Sequence, residues 1–351
     1  KNTYDDNQVI NTCQKCGDLL EVIYDYDKII NQPNFDNWKN LPLSVWRYHN
    51  FLPIKTEEKI SLNEGGTGLH NTSKLAAFLG IEKLFIKNEG ENPTGSFKDR
   101  GMTIAVSKAR NLGSSVIICA STGNTSASAA AYGAYCGLST TVLVPKNNIA
   151  RGKLAQAITY GARIVLIDGN FDDALTLVKS LSEKHPIVLV NSLNPNRLQG
   201  QKTAAFEIIE DLGTAPDYVC MPVGNAGNIS AYWMGFTEAR DMEMTSVLPK
   251  MMGFQAEGAA AIVKGYPIDK PETIASAIRI GNPASWDLAV NARDKSGGVI
   301  DSVTDDDIME AYGWLAKKEG LFCEPASAAS VAGLIKPVSY THLTLPTSDL
   351  V

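Results

Sequence analysis

The feature that most constrains this chain is an alternation. From about residue 84 onward, short apolar runs rich in β-formers are followed repeatedly by stretches of helical period. Residues 115–119, 140–144, 163–167, 187–190, 218–223 and 251–256 read as strands, and 125–135, 150–160, 171–182, 198–212 and 229–242 read as the helices between them. Strands that are apolar along their whole length are buried on both faces, and intervening helices supply the crossovers that parallel strands need. The expected fold class is therefore α/β, with mostly parallel twisted sheets covered by helices. At 351 residues and 44% hydrophobic content the chain can bury the cores of two such domains. Ligands in folds of this kind gather where strand-to-helix loops converge, at the carboxyl ends of the strands.

Residues 1–60 fit the alternation less well and read as an N-terminal extension packed on the main body. Segments 61–100 and 192–336 read as a large domain, and 101–191 as a smaller, mobile one. The run 337–351 has neither helical period nor turn logic and is expected to be a non-native tail. A net charge of −6 without a Lys/Arg-rich block argues against nucleic acid and anionic membranes as partners. No apolar stretch approaches the roughly 18 residues of a membrane span, and the polar start does not resemble a signal sequence, so a cytoplasmic protein is expected. Of the six cysteines, Cys119, Cys136, Cys220 and Cys323 lie in apolar or small-residue segments and read as reduced core thiols.

Several loops carry chemistry. In Pro93-Thr94-Gly95-Ser96-Phe97-Lys98-Asp99-Arg100, Lys98 falls in the first turn of a helix, with Ser96 and Asp99 spaced as a capping pair. A helix N-terminus disfavours an ammonium, which suits an amine that must act as a nucleophile. The loop Ser121-Thr122-Gly123-Asn124-Thr125-Ser126 is dense in hydroxyls, amides and helix-start N–H groups and suits a carboxylate. Gly224-Asn225-Ala226-Gly227-Asn228, between an apolar strand and a helix, reads as a phosphate cradle: its glycines admit close backbone approach and its N–H groups form a nest. The nucleoside-triphosphate and dinucleotide spacings are both absent. A phosphate held without lysine, together with an activated lysine elsewhere, points to pyridoxal phosphate held as a Schiff base. In Asn191-Ser192-Leu193-Asn194-Pro195-Asn196-Arg197, Arg197 offers a planar fork for phosphate or carboxylate. His49, His70, His185 and His342 are scattered, so acid–base work falls to the lysine, the cofactor or the substrate.

In these segments, and in Glu64-Gly65-Gly66-Thr67-Gly68-Leu69 and Thr273-Ile274-Ala275-Ser276-Ala277-Ile278-Arg279-Ile280-Gly281-Asn282-Pro283, the sequence resembles the threonine synthase family over about residues 13–336. The Glu64, Lys98 and Ser121 motifs are shared in looser form with threonine and serine dehydratases and cysteine synthases, whereas the other two are more specific. The resemblance implies a pyridoxal-phosphate enzyme of fold type II, the cofactor lying in the cleft between two domains. It implies Lys98 as the catalytic lysine that carries the cofactor, Asn124 on the ring hydroxyl, and Gly224, Asn225, Ala226, Gly227 and Asn228 on the cofactor phosphate. Ser121, Thr122 and Thr125 would meet the substrate carboxylate or nearby phosphate, and Asn191, Ser192 and Arg197 the substrate phosphate. The implied reaction converts O-phospho-L-homoserine and water to L-threonine and phosphate, in a protein expected to be a homodimer.

Two features depart from the family pattern. A C-terminal Thr-Gly-x-Gly-Leu-Lys segment, which supplies the partner of the pyridine nitrogen, is not found after Lys336. Cys13-Gln14-Lys15-Cys16-Gly17 has the spacing of one half of a zinc knuckle, but structural zinc takes four ligands and no second such pair is present, leaving a turn with two thiols as the other reading. A threonine or serine dehydratase-like lyase, and a non-catalytic member of the fold, are the alternative functions.

Overall fold

The computed structural model describes residues 2–8, 10–31, 35–146, 151–169 and 171–336. In chain order it forms helix α1 (Tyr26–Ile30), the antiparallel pair β1 (Leu69–Asn71) and β2 (Phe85–Lys87) flanking α2 (Ser73–Leu79), and helix α3 (Lys98–Asn111). Then follow β3 (Val116–Ala120), α4 (Asn124–Cys136), β4 (Ser139–Pro145), α5 (Arg151–Thr159), β5 (Arg163–Ile167), α6 (Phe171–Lys184), β6 (Ile187–Leu189), α7 (Asn196–Gln201) and α8 (Thr203–Leu212). The chain continues through β7 (Tyr218–Pro222), α9 (Gly227–Asp241), β8 (Lys250–Ala256), α10 (Ala261–Lys264), α11 (Trp286–Ser296), β9 (Val299–Val303), α12 (Asp305–Trp314) and α13 (Pro325–Ile335).

The expected alternation is present. The expected helix over 198–212 is two helices, α7 and α8, with Lys202 between them. The expected tail at 337–351, and the start of the helix expected from residue 150, lie outside the described residues.

The chain forms two compact units: one comprises the chain up to Thr67 with Glu89–Thr203, the other Gly68–Asn88 with the chain from Ala204 onward. This partition places Lys98 and the N-terminal residues with the sheet of 101–191, whereas the sequence pattern groups 61–100 with the cofactor-binding domain. The reason is packing. Helix α3 lies against α4 and α7, and Arg100, fully buried, makes a two-toothed pair with Glu89 (2.7 and 2.8 Å) and bonds the hydroxyls of Thr67 and Thr203. Such a bidentate pair orients as well as attracts.

The first unit holds a four-stranded parallel sheet in the order β5-β4-β3-β6. Central β3 is buried from Ile117 to Ala120, in keeping with its unbroken apolar sequence. The chain runs from β3 outward through β4 to β5, then returns to place β6 on the other side of β3. The β3/β6 boundary is thus the topological switch point, and the crevice beyond its carboxyl ends is where this architecture puts ligands. The loops at 121–123 and 190–195 leave from those two strand ends.

The second unit holds a three-stranded parallel sheet, β7-β8-β9, and the small β1-β2 pair. Helix α13, made almost wholly of small and apolar residues, packs on β7 and β8; Gly333 is needed because a Cβ there would sit 2.1 Å from the Phe254 ring.

Candidate active site

In the first unit, the turn before α3 is organised differently from the capping pair expected of Ser96 and Asp99. The N-cap position is Phe97, which has no capping side chain. The Asp99 carboxylate instead reaches back to the Thr94 amide N (2.7 Å) and hydroxyl (2.7 Å), and accepts a further bond from the Ser128 hydroxyl of α4. Three donors around a fully buried carboxylate outweigh one bond to a helix-start amide. Burial raises the Asp99 carboxyl pKa, against the lowering effect of the Ser128 and Thr94 bonds. Asp99 therefore fastens the 93–97 turn to α4. Lys98 is half-buried beside it, its Nζ 4.0 Å from the Phe97 ring centroid.

Helix α4 begins at Asn124, which is buried; Ser121, Thr122 and Thr125 are half-buried at the carboxyl end of β3. The Ser121 hydroxyl accepts from the Gly123 amide (3.2 Å), and the Ser126 hydroxyl donates to the Gly123 carbonyl (2.7 Å), so the loop keeps its hydroxyls close to its own backbone.

On the other side of the switch point, Asn191 turns both ends of its amide to the backbone of Ala120, accepting from its N–H and donating to its carbonyl, each at 2.8 Å. Its visible work is to clip the ends of β3 and β6 together, which differs from the ligand role implied for it. Ser192 is half-buried beyond it.

Arg197 is 1% exposed. One Nη donates to the Val190 carbonyl at 3.3 Å, while Nε and Nη2 are buried with no hydrogen-bond partner among the described residues. Burial lowers its guanidinium to about 10, against the pull of nearby Cys119 and Asp99. A charged fork buried with two open N–H groups is costly unless an anion completes it.

Helices α3 and α7 cross at two glycines. A Cβ on Gly101 would lie 2.7 Å from the Arg197 carbonyl oxygen, and one on Gly200 would lie 1.7 Å from that of Arg100. This close approach sets the Arg197 backbone against the first turn of the helix that Lys98 opens. The first unit thus brings Lys98, the 121–125 loop and the 191–197 loop to one place.

Sequence reasoning missed Lys153 of α5, whose Nζ donates to the Thr94 carbonyl (3.2 Å) just ahead of Lys98. A lysine within an ordinary helical period carries no signal of its own.

In the second unit, the 224–228 segment runs from the end of β7 into the first turn of α9, whose opening amides have no partners inside the helix. Ala226 adopts φ +65°, a left-handed conformation costly for alanine and concentrated at functional sites. Gly224 abuts the 273–283 segment: a Cβ there would be 2.8 Å from the Ile278 Cα. Asn225 ties the loop to the start of α11, its Oδ1 accepting from the Ala284 amide (2.7 Å) and its carbonyl from the Ser285 amide (3.2 Å). The Asn228 Oδ1 is buried with no hydrogen-bond partner among the described residues.

Cys13 and Cys16 lie on a turn closed by Gly17 N to Cys13 O (2.8 Å). The Tyr4 hydroxyl, 3.3 Å from Cys13 Sγ, is the main reason that thiol is lowered to about 6. No cluster of three or more His, Cys, Asp or Glu able to hold a metal occurs among the described residues. Of the expected core thiols, Cys119 is buried and pushed up to about 12, whereas Cys136, Cys220 and Cys323 are partly exposed.

A phosphorylated cofactor fits these residues: the 224–228 loop holds Ala226 in a strained left-handed conformation, leaves Gly224 no room for a side chain, and ends in the first-turn amides of α9, which are donors an anion can take. The chain matches the family described as "Pyridoxal-phosphate dependent enzyme" over residues 60–343. It is 53% identical over 344 residues to the threonine synthase of Methanocaldococcus jannaschii, covering 95% of this chain and 85% of that one. To the threonine synthase of Halalkalibacterium halodurans it is 58% identical over 303 residues, covering 85% of each. Among solved structures it resembles maize serine racemase (TM-score 0.69, 21% identity, 81% of this chain and 85% of that one) and the processed form of threonine deaminase isoform 2 from Solanum lycopersicum (TM-score 0.67, 23% identity, 81% and 77%), likenesses that speak to the fold. No described helix is long and apolar enough to cross a membrane. The chain belongs to the pyridoxal-phosphate dependent enzymes of fold type II and, within them, to the threonine synthases.

Proposed function

We propose that this lyase converts O-phospho-L-homoserine and water to L-threonine and inorganic phosphate, by elimination of the γ-phosphate and addition of water at the β carbon. The observation that carries the reading is Arg197, a buried guanidinium with two N–H groups open to an anion. Its fork suits the γ-phosphate, which it holds while the C–O bond breaks and stabilises as it leaves. Ser192 adds a hydroxyl beside it, and Asn191 keeps the two strand ends in register. The 121–125 loop holds the substrate carboxylate through hydroxyls and helix-start amides. In the second unit the 224–228 loop, with its α9 amides, holds the cofactor phosphate, and Asn124 bonds the ring hydroxyl. When bound, pyridoxal phosphate supplies an electron sink for charge developing at the substrate α carbon. Lys98 carries the cofactor and, once released by substrate, moves protons at the α, β and γ carbons. Asp99 fixes the turn from which that amine works. The family resemblance supports a homodimer acting in the cytoplasm, checked by sedimentation velocity and by fractionation.

The test is product stoichiometry. O-phospho-L-homoserine should yield phosphate and threonine in equal amounts, while L-threonine or L-serine should yield little 2-oxo acid. Rapid 2-oxo acid formation without phosphate release from O-phospho-L-homoserine would overturn the reading in favour of a dehydratase. Bound cofactor without turnover of any of the three would favour a non-catalytic protein.

A further inference from the structure

Ser285 is 1% exposed, and its Oγ is buried with no hydrogen-bond partner among the described residues. It occupies the N-cap position of α11, where a serine hydroxyl ordinarily accepts from an amide of the first turn, yet no such bond is made. Its own amide is spent on the Asn225 carbonyl, and that of its neighbour Ala284 on the Asn225 side chain, so the residue is fastened to the middle of the 224–228 loop. The other buried orphan of this neighbourhood, Asn228 Oδ1, lies on the same loop. Buried hydroxyls are nearly always satisfied, so one left open beside an anion nest is held ready to donate to what enters it.

We infer that Ser285 is a further ligand of the cofactor phosphate, supplied by α11 and donating its hydroxyl hydrogen to a phosphate oxygen. The nest is then built from two helix starts: α9 gives backbone amides and α11 gives a side chain, with Asn225 as the tie between them. This rests on the placement of the cofactor phosphate at 224–228.

The experiment compares binding of pyridoxal phosphate with that of pyridoxal, which lacks the phosphate, by absorbance and fluorescence titration of cofactor-stripped protein. In Ser285→Ala the affinity for pyridoxal phosphate should fall about tenfold, the worth of one charge-assisted hydrogen bond, while that for pyridoxal changes less than about twofold. The melting temperature of the stripped variant should hold or rise, because the lost hydroxyl had no partner. Ser285→Cys, which keeps the bulk but donates weakly, should behave like Ser285→Ala and guards against a packing artefact. Unchanged pyridoxal phosphate affinity in both variants, or equal losses for the two ligands, would overturn the assignment of Ser285. If the unaltered protein binds pyridoxal as tightly as pyridoxal phosphate, the cradle placement fails as well, an outcome distinct from failure of Ser285 alone.

Discussion

Replacing Arg197 with methionine should make the ligand-free protein more stable while destroying its activity. Burial brings this guanidinium from 12.5 to about 10, which corresponds to about 3 kcal/mol of uncompensated desolvation. Because the folded-state value is lowered, the cost applies wherever the arginine is charged, and so across the whole neutral range, and is relieved only above about pH 10. Methionine has similar reach, fills much of the same space and needs no partner. It forfeits the bond from Nη1 to the Val190 carbonyl, worth about 1 kcal/mol. The net is a gain of about 2 kcal/mol, or roughly 4–8 °C in the melting of a unit of this size. The assay is thermal unfolding without substrate, repeated with added inorganic phosphate. With the cofactor bound, so that the 224–228 nest is filled, phosphate should raise the melting point of the unaltered protein by mass action and leave Arg197→Met unmoved. With O-phospho-L-homoserine the variant should lose at least about a hundredfold in kcat/KM, since a lost charged contact to the leaving group exceeds about 3 kcal/mol. A variant that melts lower than the parent and still responds to phosphate would refute the reasoning, because Arg197 would then be an ordinary structural cation.

Three further outcomes are expected. Lys98→Ala should lose the cofactor absorbance near the edge of the visible range; a band that persists after dialysis would show that another group carries the cofactor. Gly224→Ala must accommodate a Cβ 2.8 Å from the Ile278 backbone, so it should cost about 1–3 kcal/mol in urea unfolding and weaken cofactor binding. Wild-type affinity would contradict the tight fit at that loop. Cys13, with its thiol lowered to about 6 by the Tyr4 hydroxyl, should be alkylated by iodoacetamide faster than Cys16 at neutral pH, with a rate that declines below about pH 6. Tyr4→Phe should move that midpoint upward, and peptide mass spectrometry reads both results.

Much of this architecture is written in local sequence, and the exceptions have physical causes. Strands β3 to β8 are legible because each is an apolar run set between helical periods. Strand β9, Val299–Val303, escapes the same reading because Asp301 and Ser302 interrupt it: it is an outer strand of its sheet and is only partly buried. Lys98 stands out as an ammonium at a helix start, and the 224–228 loop as a Gly/Asn run between an apolar strand and a helix. Asp99 is misread as a cap because its carboxylate turns back to Thr94 and outward to Ser128, 29 residues away, the second a contact that local spacing cannot reveal. Ser285 and Lys153 give no sequence signal at all. Each becomes noticeable only when its neighbours are known, through an unanswered hydroxyl in one case and a turn reached from a distant helix in the other.

The glycine crossing of α3 and α7 has a consequence for substrate choice. Gly101 and Gly200 bring the two backbones into touch, so the amine of Lys98 and the fork of Arg197 stand on one welded frame. On the proposed function such a frame would measure length, favouring molecules whose reacting carbon and phosphate match its span over those one methylene shorter. On this view the two glycines, which never meet the substrate, set the gauge by which it is chosen.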